Sequence, residues 1–385
     1  MASRLRIGLF TNNYFPMLGG VSTAVDTIRR DLEALGHEVV IVAPRMAGAD
    51  DAGRRVIRVP AMPAPTYPDF ALALPLGPRL TRRLRSLELD VFHAHHPFLL
   101  GASARRLARS AGRPFVFTYH TLYDRYAHYV PLPRPMVAKR AIRWSAKFAD
   151  TADLVLAPSA FVARRLRTQG VWRPVEVLPT GVDLDRFRPG DGAAARAALR
   201  LEADDRVLLY VGRLDREKNL ELLLDAVARV RAPRLRLLLV GRGTQETNLR
   251  RAAASRGLAD RVEFRGGSAP DALPAYYRAA DAFVFASTTE TQGLAVLEAM
   301  ACGLPVVAVR ASGVEEIVTD GVSGLLVPED AATFAAAVEE ILGDAALRAK
   351  LAIGGREAAG PFGSRALAPR LVGAYRRARG EPAWS

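Results

Sequence analysis

Two glutamates stand eight residues apart in the second half of the chain and bracket a polar, glycine-containing loop. Glu290 lies in the loop that leads from an apolar run into a helical pattern, and Glu298 lies within that pattern. The first amides of a helix have no partner inside the helix and attract anions. The spacing predicts that the amides of Gln292, Gly293 and Leu294 bind a phosphate while the two carboxylates accept hydrogen bonds from sugar hydroxyls. In the alternative, Glu290 caps the helix and Glu298 is an ordinary residue of its surface.

Two further groups suit an anionic ligand. Arg213 and Lys218 belong to the run GRLDREKN, directly after an apolar stretch. They can place a guanidinium fork and an ammonium over one phosphate. Gly19 and Gly20 precede a helical pattern, where glycine lets backbone amides approach an oxyanion. Together these residues indicate a site for a diphosphate that carries a sugar.

Other common chemistries lack their patterns here. The chain has no Walker A run and no HExxH zinc motif. His93, His95 and His96 have no carboxylate or cysteine nearby in sequence, which favours a polar role at a strand end over a metal site. Asp183 and Asp185 form a DxD pattern in a turn-rich segment, where aspartates favour turns. We therefore expect no metal and no cofactor.

The elements that must position these residues follow one alternating pattern in both halves. Short apolar runs alternate with amphipathic helical patterns, which indicates parallel sheets covered on both faces. The expected strands are 5–10, 37–43, 91–95, 115–120, 154–158, 175–179, 207–212, 236–241, 262–266, 282–287 and 305–309. This predicts an α/β protein with two doubly wound domains, 1–180 and 181–362, and a last helix, about 363–385, that can pack back on the first. Because ligands bind beyond the carboxyl ends of such strands, we expect the site between the domains.

Length, cysteine content and charge limit the class of protein. The chain has 385 residues, enough for two domains, and its single cysteine indicates a reducing compartment. No run comes near the roughly 18 consecutive apolar residues of a membrane span, so we expect a cytoplasmic protein. Residues 1–180 hold 26 Lys and Arg against 13 Asp and Glu, whereas the remainder holds 28 against 27. This asymmetry predicts an anionic partner of the first domain, either nucleic acid or a membrane surface.

Several longer runs resemble one enzyme family. GRLDREKN, TETQGLAVLEAMACGLPVV and GVEEIVTDGVSGLLVP resemble the donor domain of retaining nucleotide-sugar glycosyltransferases of family 4. GLFTNNYFPMLGGVSTAV, HAHHPFLLG, TYHTLYDRYAHYVP and LPTGVDLDRFRP extend the resemblance through the first half. It covers nearly the whole chain and implies the GT-B fold, in which two Rossmann-like domains face a central cleft.

The resemblance also implies roles for single residues. It assigns Glu298 to the donor ribose hydroxyls, Glu290 to the transferred sugar and His120 to the reacting centre, so that Glu290 and His120 are the expected catalytic residues. Enzymes of this family need no metal. The residues that it assigns to donor binding are Gly19, Gly20, Arg213, Lys218, Gln292, Gly293, Leu294 and Glu298.

The segment after His120 is expected to face the acceptor. It is rich in aromatic and polar residues and looks like the acceptor-domain segment of diacylglycerol glucosyltransferases. Its expected acceptor-side residues are Tyr123, Tyr126, His128 and Tyr129. With UDP-glucose as the expected donor, this favours a membrane lipid such as diacylglycerol as the acceptor.

A basic stretch follows from Arg134 to Phe148, in which cations alternate with aliphatic and aromatic residues. Such a helix is typical of binding to an anionic membrane surface, although an ordinary amphipathic helix with a solvated basic face has the same pattern. The expected membrane contacts are Lys139, Arg140, Arg143, Trp144 and Lys147, with Phe148 beside them. The enzyme would then be peripheral on the inner face of the cell membrane.

Three other functions remain open. Family members that make polysaccharides or small glycosides, some with GDP-mannose, share every donor motif. A glycoside hydrolase would use paired carboxylates but would leave Arg213, Lys218 and the glycine pair without a role. A basic nucleic-acid-binding protein would explain the charge but not the donor pocket, so we expect no nucleic-acid partner.

Overall fold

A computed structural model of the chain describes residues 3–17, 19–64, 67–74, 77–129 and 133–381, without the side chains of 67–69 and 127–129. The first half alternates strands and helices as the apolar runs predict. Its elements are β1 (Arg6–Phe10), α1 (Gly20–Ala34), β2 (Glu38–Pro44), β3 (Val56–Val59), β4 (Ala61–Ala64), β5 (Tyr67–Ala73), α2 (Pro78–Arg85), β6 (Val91–Ala94), α3 (Leu100–Ala111), β7 (Phe115–Thr118), α4 (Arg134–Ala149), β8 (Leu154–Ala157), α5 (Ala160–Thr168) and β9 (Val175–Val177).

The second half repeats the alternation and ends in three helices. Its elements are α6 (Gly192–Leu199), β10 (Arg206–Val211), α7 (Leu220–Val227), β11 (Leu235–Val240), α8 (Glu246–Ser255), β12 (Val262–Gly266), α9 (Leu273–Ala279), β13 (Ala282–Phe285), α10 (Leu294–Ala301), β14 (Val306–Val309), β15 (Leu325–Val327), α11 (Ala331–Gly343), α12 (Ala345–Ala359) and α13 (Ser364–Ala378). Short 3₁₀ helices occupy Tyr123–Tyr129 and Arg216–Lys218, among others.

The chain divides into two compact units. One contains Met1–Gly181 and Ser364–Ser385, and the other contains Val182–Gly363. The sequence placed the change of domain at 180/181 and left the last helix free to join either domain. In the structure α13 belongs to the first unit, where Leu371 and Tyr375 join Val25 and Leu32 of α1 in the core on one face of the sheet.

The first unit is built on a seven-stranded sheet in the order β3-β2-β1-β6-β7-β8-β9, in which every pair is parallel. The central strands are buried on both faces, which explains their continuously apolar sequences. Sequence patterns missed β3 and the antiparallel pair β4–β5, because the arginine and prolines of VIRV, AMPA and YPDFALA interrupt their apolar runs.

The second unit contains a six-stranded parallel sheet in the order β12-β11-β10-β13-β14-β15. Sequence analysis missed β15, which has only three residues. In each unit the chain moves outward from a first central strand and then returns to its other side, so that both sheets are doubly wound and Rossmann-like. The point of reversal lies between β1 and β6 in the first unit and between β10 and β13 in the second. Ligands of open α/β sheets bind beyond the carboxyl ends of the strands at this point.

Candidate functional site

The two loops at the switch point of the second sheet bring Lys218 and Glu290 together. Lys218 ends the loop after β10, and Glu290 lies in the loop between β13 and α10. Lys218 Nζ donates a hydrogen bond of 2.6 Å to Glu290 Oε1. Both side chains are largely buried, at 12% and 17% exposure. The structure thus pairs the cation expected at the diphosphate with the carboxylate expected at the sugar.

The environment keeps Glu290 ionised. Burial alone would raise its pKa, but the charge and hydrogen bond of Lys218, with help from Ser287 and Arg213, lower it below the ordinary value. Glu290 is therefore a carboxylate at neutral pH and accepts hydrogen bonds. This is the state that a contact with a sugar hydroxyl needs.

Two acidic residues hold the guanidinium of Arg213, and sequence analysis missed both roles. Arg213 donates to Asp215 and to Glu217, whose side chains are almost completely buried. Asp215 also accepts the backbone amide and the hydroxyl of Thr244, at 2.8 and 2.9 Å. Asp215 and Glu217 follow Arg213 by two and four positions, and this spacing could have predicted both contacts. They lock the direction in which Arg213 points.

The loop before α10 ends in a conformation that requires glycine. Gly293 caps the helix with φ of 103°, a region that residues with a Cβ rarely adopt, and Leu294 is the first helical residue. No side chain caps this end, so Glu290 is not the N-cap residue. Gln292, directly before Gly293, is buried. The amides of Gly293 and Leu294 thus lie at the helix N-terminus, as the sequence predicted.

Glu298 lies inside α10 and is only 7% exposed. Its Oε2 accepts a hydrogen bond of 2.7 Å from the hydroxyl of Tyr277, which is itself buried. Burial raises the pKa of Glu298 to about 7, although the Tyr277 hydrogen bond and the charge of Arg186 oppose the rise. A buried carboxyl at this position is not an ordinary residue of a helix surface. Tyr277, on α9, is its partner, and no pattern in the sequence predicts this contact.

The glycine pair of the first unit begins a helix at the carboxyl end of the first strand. Gly20 is the first residue of α1, and Gly19 is its N-cap in an extended conformation. A Cβ built on Gly19 meets no described atom within 4 Å. The structure therefore places both glycines at a helix N-terminus, where backbone amides can bind an anion.

His120 lies two residues beyond β7, in the loop rather than at the end of the strand as the sequence suggested, because the strand stops at Thr118. His120 contacts His95, which follows the neighbouring strand β6, and the distance between His95 Nδ1 and His120 Nε2 is 2.9 Å. Burial lowers the pKa of His120 to about 4. His120 is therefore neutral at physiological pH.

The acceptor-side residues that the structure describes lie in the 3₁₀ helix Tyr123–Tyr129. Tyr123 packs edge-on against Tyr119 and Phe98, with ring centroids 5.6 and 6.2 Å apart. Tyr126 is half-buried. The side chains of His128 and Tyr129 lie outside the described part of the chain.

One face of α4 carries the expected membrane contacts, and all of them are exposed. We call this surface the α4 face, which consists of Met136, Lys139, Arg140, Arg143, Trp144 and Lys147. Among the described residues, none of its four cations forms an ion pair. Phe148 does not lie beside these contacts as expected. Its side chain is buried in the core against Phe115 and Phe117 and cannot reach a membrane.

Trp172, which sequence analysis overlooked, is 89% exposed. It lies in the loop before β9, where its amide donates to Asp150 Oδ1 at 2.8 Å. Asp150 is the C-cap residue of α4. The backbone of Trp172 is therefore held beside the end of the α4 face, and the available signal was an isolated tryptophan between Val171 and Arg173.

The predicted turn at the DxD pattern is confirmed. Asp183 Oδ1 accepts the amides of Asp185 and Arg186, at 3.2 and 3.1 Å. In the described part of the chain, no group of three or more His, Cys, Asp or Glu is arranged to hold a metal ion. No helix among the described residues is both long and apolar enough to cross a bilayer.

Comparison with known proteins identifies the family. Residues 18–186 match the family model described as Glycosyltransferase Family 4, and residues 192–358 match the model described as Glycosyl transferases group 1. An alpha-monoglucosyldiacylglycerol synthase of Streptococcus pneumoniae is 33% identical over 336 residues, which are 84% of this chain and 75% of that protein. The chain belongs to glycosyltransferase family 4. The resemblance found in its motifs is confirmed, and it is a glycosyltransferase of the GT-B fold.

Relatives of this family 4 enzyme differ in the substrates that their names state. A GDP-mannose-dependent alpha-mannosyltransferase of Mycobacterium tuberculosis is 32% identical over 333 residues, 84% of each chain. The solved structure of a sucrose-phosphate synthase from Thermosynechococcus elongatus covers 98% of this chain and all of its own, with a TM-score of 0.84 and 28% identity. The family thus fixes the reaction class, while donor and acceptor have to be argued from the residues.

Proposed function

We propose that this glycosyltransferase moves a hexose, in the first instance glucose from UDP-glucose, to a hydroxyl group of a membrane lipid such as diacylglycerol. The observation that carries the donor half is the pair of Lys218 and Glu290, because a group suited to phosphate and a group suited to sugar lie side by side. The pneumococcal relative, an alpha-monoglucosyldiacylglycerol synthase, and the exposed α4 face support the acceptor half.

Each donor-binding group has a part of the nucleotide sugar to bind. Glu298, in its ionised form, accepts hydrogen bonds from the ribose hydroxyls, and Glu290 accepts one from the sugar. Lys218, Arg213 and the N-terminus of α10 bind the diphosphate, to which Gly19 and Gly20 also contribute amides. The side chains of Lys218 and Arg213 supply two positive charges, against the four carboxyl groups of Glu290, Glu298, Asp215 and Glu217. The helix amides are therefore needed, and Lys218 must turn partly from Glu290 towards the phosphate.

The transfer retains the configuration of the anomeric carbon in our proposal. The acceptor oxygen bonds to that carbon on the face from which the diphosphate leaves, and the bond between the carbon and the diphosphate oxygen breaks. The proton of the acceptor hydroxyl passes to the leaving phosphate oxygen. Arg213, Lys218 and the helix amides stabilise the negative charge of the leaving group, a task for which other glycosyltransferases use a metal ion. His120, held neutral, hydrogen-bonds the reacting sugar.

The α4 face offers an attachment to an anionic membrane. Its four cations lie along one side of a helix that contains no acidic residue, and Trp144, 46% exposed, lies among them. Each Lys or Arg near an anionic surface contributes about 1 kcal/mol, screened within a Debye length. Three or four engaged cations would give reversible attachment that weakens in salt. Trp172 extends the surface with a ring suited to the headgroup region.

Aromatic contacts connect this surface to the expected acceptor side. Trp144 stacks on Phe98 with centroids 5.9 Å apart, and Phe98 contacts Tyr123. A lipid acceptor that leaves the bilayer at the α4 face would meet these aromatic side chains first. The enzyme then works as a peripheral protein on the inner face of the cell membrane.

A second candidate is mannosyl transfer from GDP-mannose, the donor named for the mycobacterial relative, in polysaccharide or small-glycoside synthesis. The two candidates share the same donor residues, so they are separated by substrates. We would supply UDP-glucose and GDP-mannose in separate reactions, each with liposomes that contain diacylglycerol or with a soluble panel of monosaccharides and inositol phosphate. The proposal expects label from UDP-glucose in the lipid phase. Label in a soluble product from GDP-mannose would establish the second candidate instead.

A further inference from the structure

His95 and His120 come from the ends of neighbouring parallel strands. His95 follows β6 directly, and His120 follows β7 after Tyr119. Their rings are inclined by only 25°, with centroids 5.1 Å apart, and the contact between His95 Nδ1 and His120 Nε2 measures 2.9 Å. This is a hydrogen bond in which one nitrogen donates and the other accepts.

We infer that His95 is a positioning residue that donates through Nδ1 to His120 Nε2 and thereby fixes the proton of His120 on Nδ1. The inference rests on the proposed function, in which His120 contacts the reacting sugar. Neither the fold nor the family match assigns a role to His95.

The surroundings of His95 decide the direction of the hydrogen bond. Its second nitrogen, Nε2, is buried and has no hydrogen-bond partner among the described residues. A buried N–H without an acceptor is rarer in proteins than an acceptor without a donor. Nε2 of His95 therefore carries the lone pair, and its proton lies on Nδ1.

The neighbouring histidines, His93 and His96, form hydrogen bonds with other residues. His93 is hydrogen-bonded through Nδ1 to the hydroxyl of Tyr375 and through Nε2 to that of Thr118, at 2.8 and 2.7 Å. His96 Nδ1 accepts the backbone amide of Asn12. The ring of His93 also lies 4.2 Å from that of His95 and limits its rotation.

A fixed tautomer makes His120 a hydrogen-bond donor at Nδ1. Both rings are neutral, since burial lowers their pKa values, and a neutral His120 that accepts at Nε2 must carry its proton on Nδ1. An oriented neutral donor hydrogen-bonds an oxygen of the reacting sugar without introducing a cation into the buried site. Without His95, the hydrogen bond that constrains the ring of His120 and decides which of its nitrogens carries the proton is lost.

The test combines a direct view of the tautomer with two substitutions. In ¹⁵N–¹H correlation spectra of the intact protein, we expect His120 to be protonated at Nδ1 and not at Nε2, with its signal assigned from the His120→Asn spectrum. His95→Phe keeps a ring but removes the donor, and turnover should fall roughly 10–100-fold at nearly unchanged KM for the donor. His95→Asn places an amide donor near the position of Nδ1 and should recover much of the loss. His93→Phe is the matched control, because it removes a buried histidine of the same strand and should leave the His120 tautomer as it is.

The outcomes separate this inference from the proposed function. If His120→Ala retains full turnover, the role of His120 in the proposed function fails, whatever the tautomer. The positioning role of His95 is wrong if His120→Ala loses turnover but the spectra show that His120 carries its proton on Nε2. It is also wrong if His120→Ala loses turnover and His95→Phe and His95→Asn reduce turnover by the same factor. Thermal unfolding of each variant shows whether a loss reflects folding. A variant that does not fold leaves the spectrum of the wild-type protein as the deciding measurement.

Discussion

Lys218 and Glu290 lie 72 residues apart in the sequence, yet Nζ of one and Oε1 of the other are separated by 2.6 Å. The contact exists because both residues leave the carboxyl ends of adjacent strands at the switch point of one sheet. In the function that we propose, it joins the two halves of a donor site, one for phosphate and one for sugar.

Substitution of the pair should separate binding from turnover. Lys218→Ala removes the diphosphate cation and should weaken UDP affinity by roughly one to two decades, since a charged hydrogen bond contributes about 1.5–3 kcal/mol. Glu290→Ala should lower kcat by a similar factor while changing UDP affinity less. Calorimetry with UDP and steady-state kinetics measure both quantities. Glu357→Ala, an exposed substitution on α12, is the control, and near-normal kinetics for the first two variants would refute the assignment.

UDP affinity should depend on the ionisation of Glu298. Its pKa is raised to about 7 by burial, so affinity should fall as the pH drops through 7 and the carboxylate is lost. Tyr277→Phe removes a hydrogen bond that lowers this pKa, and the fall should then move to higher pH. Glu298→Gln should bind more weakly at pH 8 and should keep only the pH dependence of UDP itself. A wild-type profile identical to that of Glu298→Gln argues against a ribose contact.

Acid should destabilise the first unit through its buried histidines. Burial lowers the pKa values of His93, His96 and His120 to about 3, 3 and 4, whereas an unfolded histidine titrates near 6.5. Below pH 6.5 the unfolded state binds more protons than the folded state, so the free energy of unfolding should fall as the pH drops from 6.5 towards 4. Glu298 acts in the opposite direction, because its folded pKa is raised, but it lies in the second unit, whereas His95, whose pKa burial also lowers, adds to the effect in the first. Urea unfolding at several pH values measures the slope, and His93→Phe should reduce it by about one proton. A free energy that stays constant from pH 7 to pH 5 contradicts the burial of neutral histidines.

Binding to anionic liposomes should depend on the α4 face. Replacing Arg140, Arg143 and Lys147 with Glu should abolish flotation with anionic vesicles, while UDP affinity stays unchanged. A control with the same change of charge replaces Arg229, Arg251 and Arg261, three exposed residues of the second unit.

Trp172→Ala tests the aromatic contribution on its own. It should weaken flotation without altering its dependence on salt, because no charge is removed. If the two triple variants bind equally, total charge rather than the α4 face governs attachment. If wild-type protein binds neutral and anionic vesicles alike, the electrostatic account is wrong.

The sequence predicted the sheets and the positions of the loops after β10 and β13 well, for physical reasons. Buried parallel strands are continuously apolar, and glycine at a helix start has few alternatives, so β10, β13 and Gly293 could be located. Contacts between distant segments leave little trace in one sequence. The hydrogen bond from Tyr277 to Glu298 and the clamp of Asp215 on Arg213 are of this kind. Phe148 was misjudged because a basic amphipathic helix has one buried face, and alternation alone does not show which aromatic residue lies on it.

The most direct test of the central claim is the anomeric configuration of the lipid product. We would incubate the enzyme with ¹³C-labelled UDP-glucose, liposomes that contain diacylglycerol and anionic lipid, and EDTA, then record the proton NMR spectrum of the extracted lipid. Metal-independent transfer with retention predicts a glucosyl lipid with the small anomeric coupling of an α-linkage. A β-linked glycolipid, or product that forms only when magnesium or manganese is restored, would contradict it.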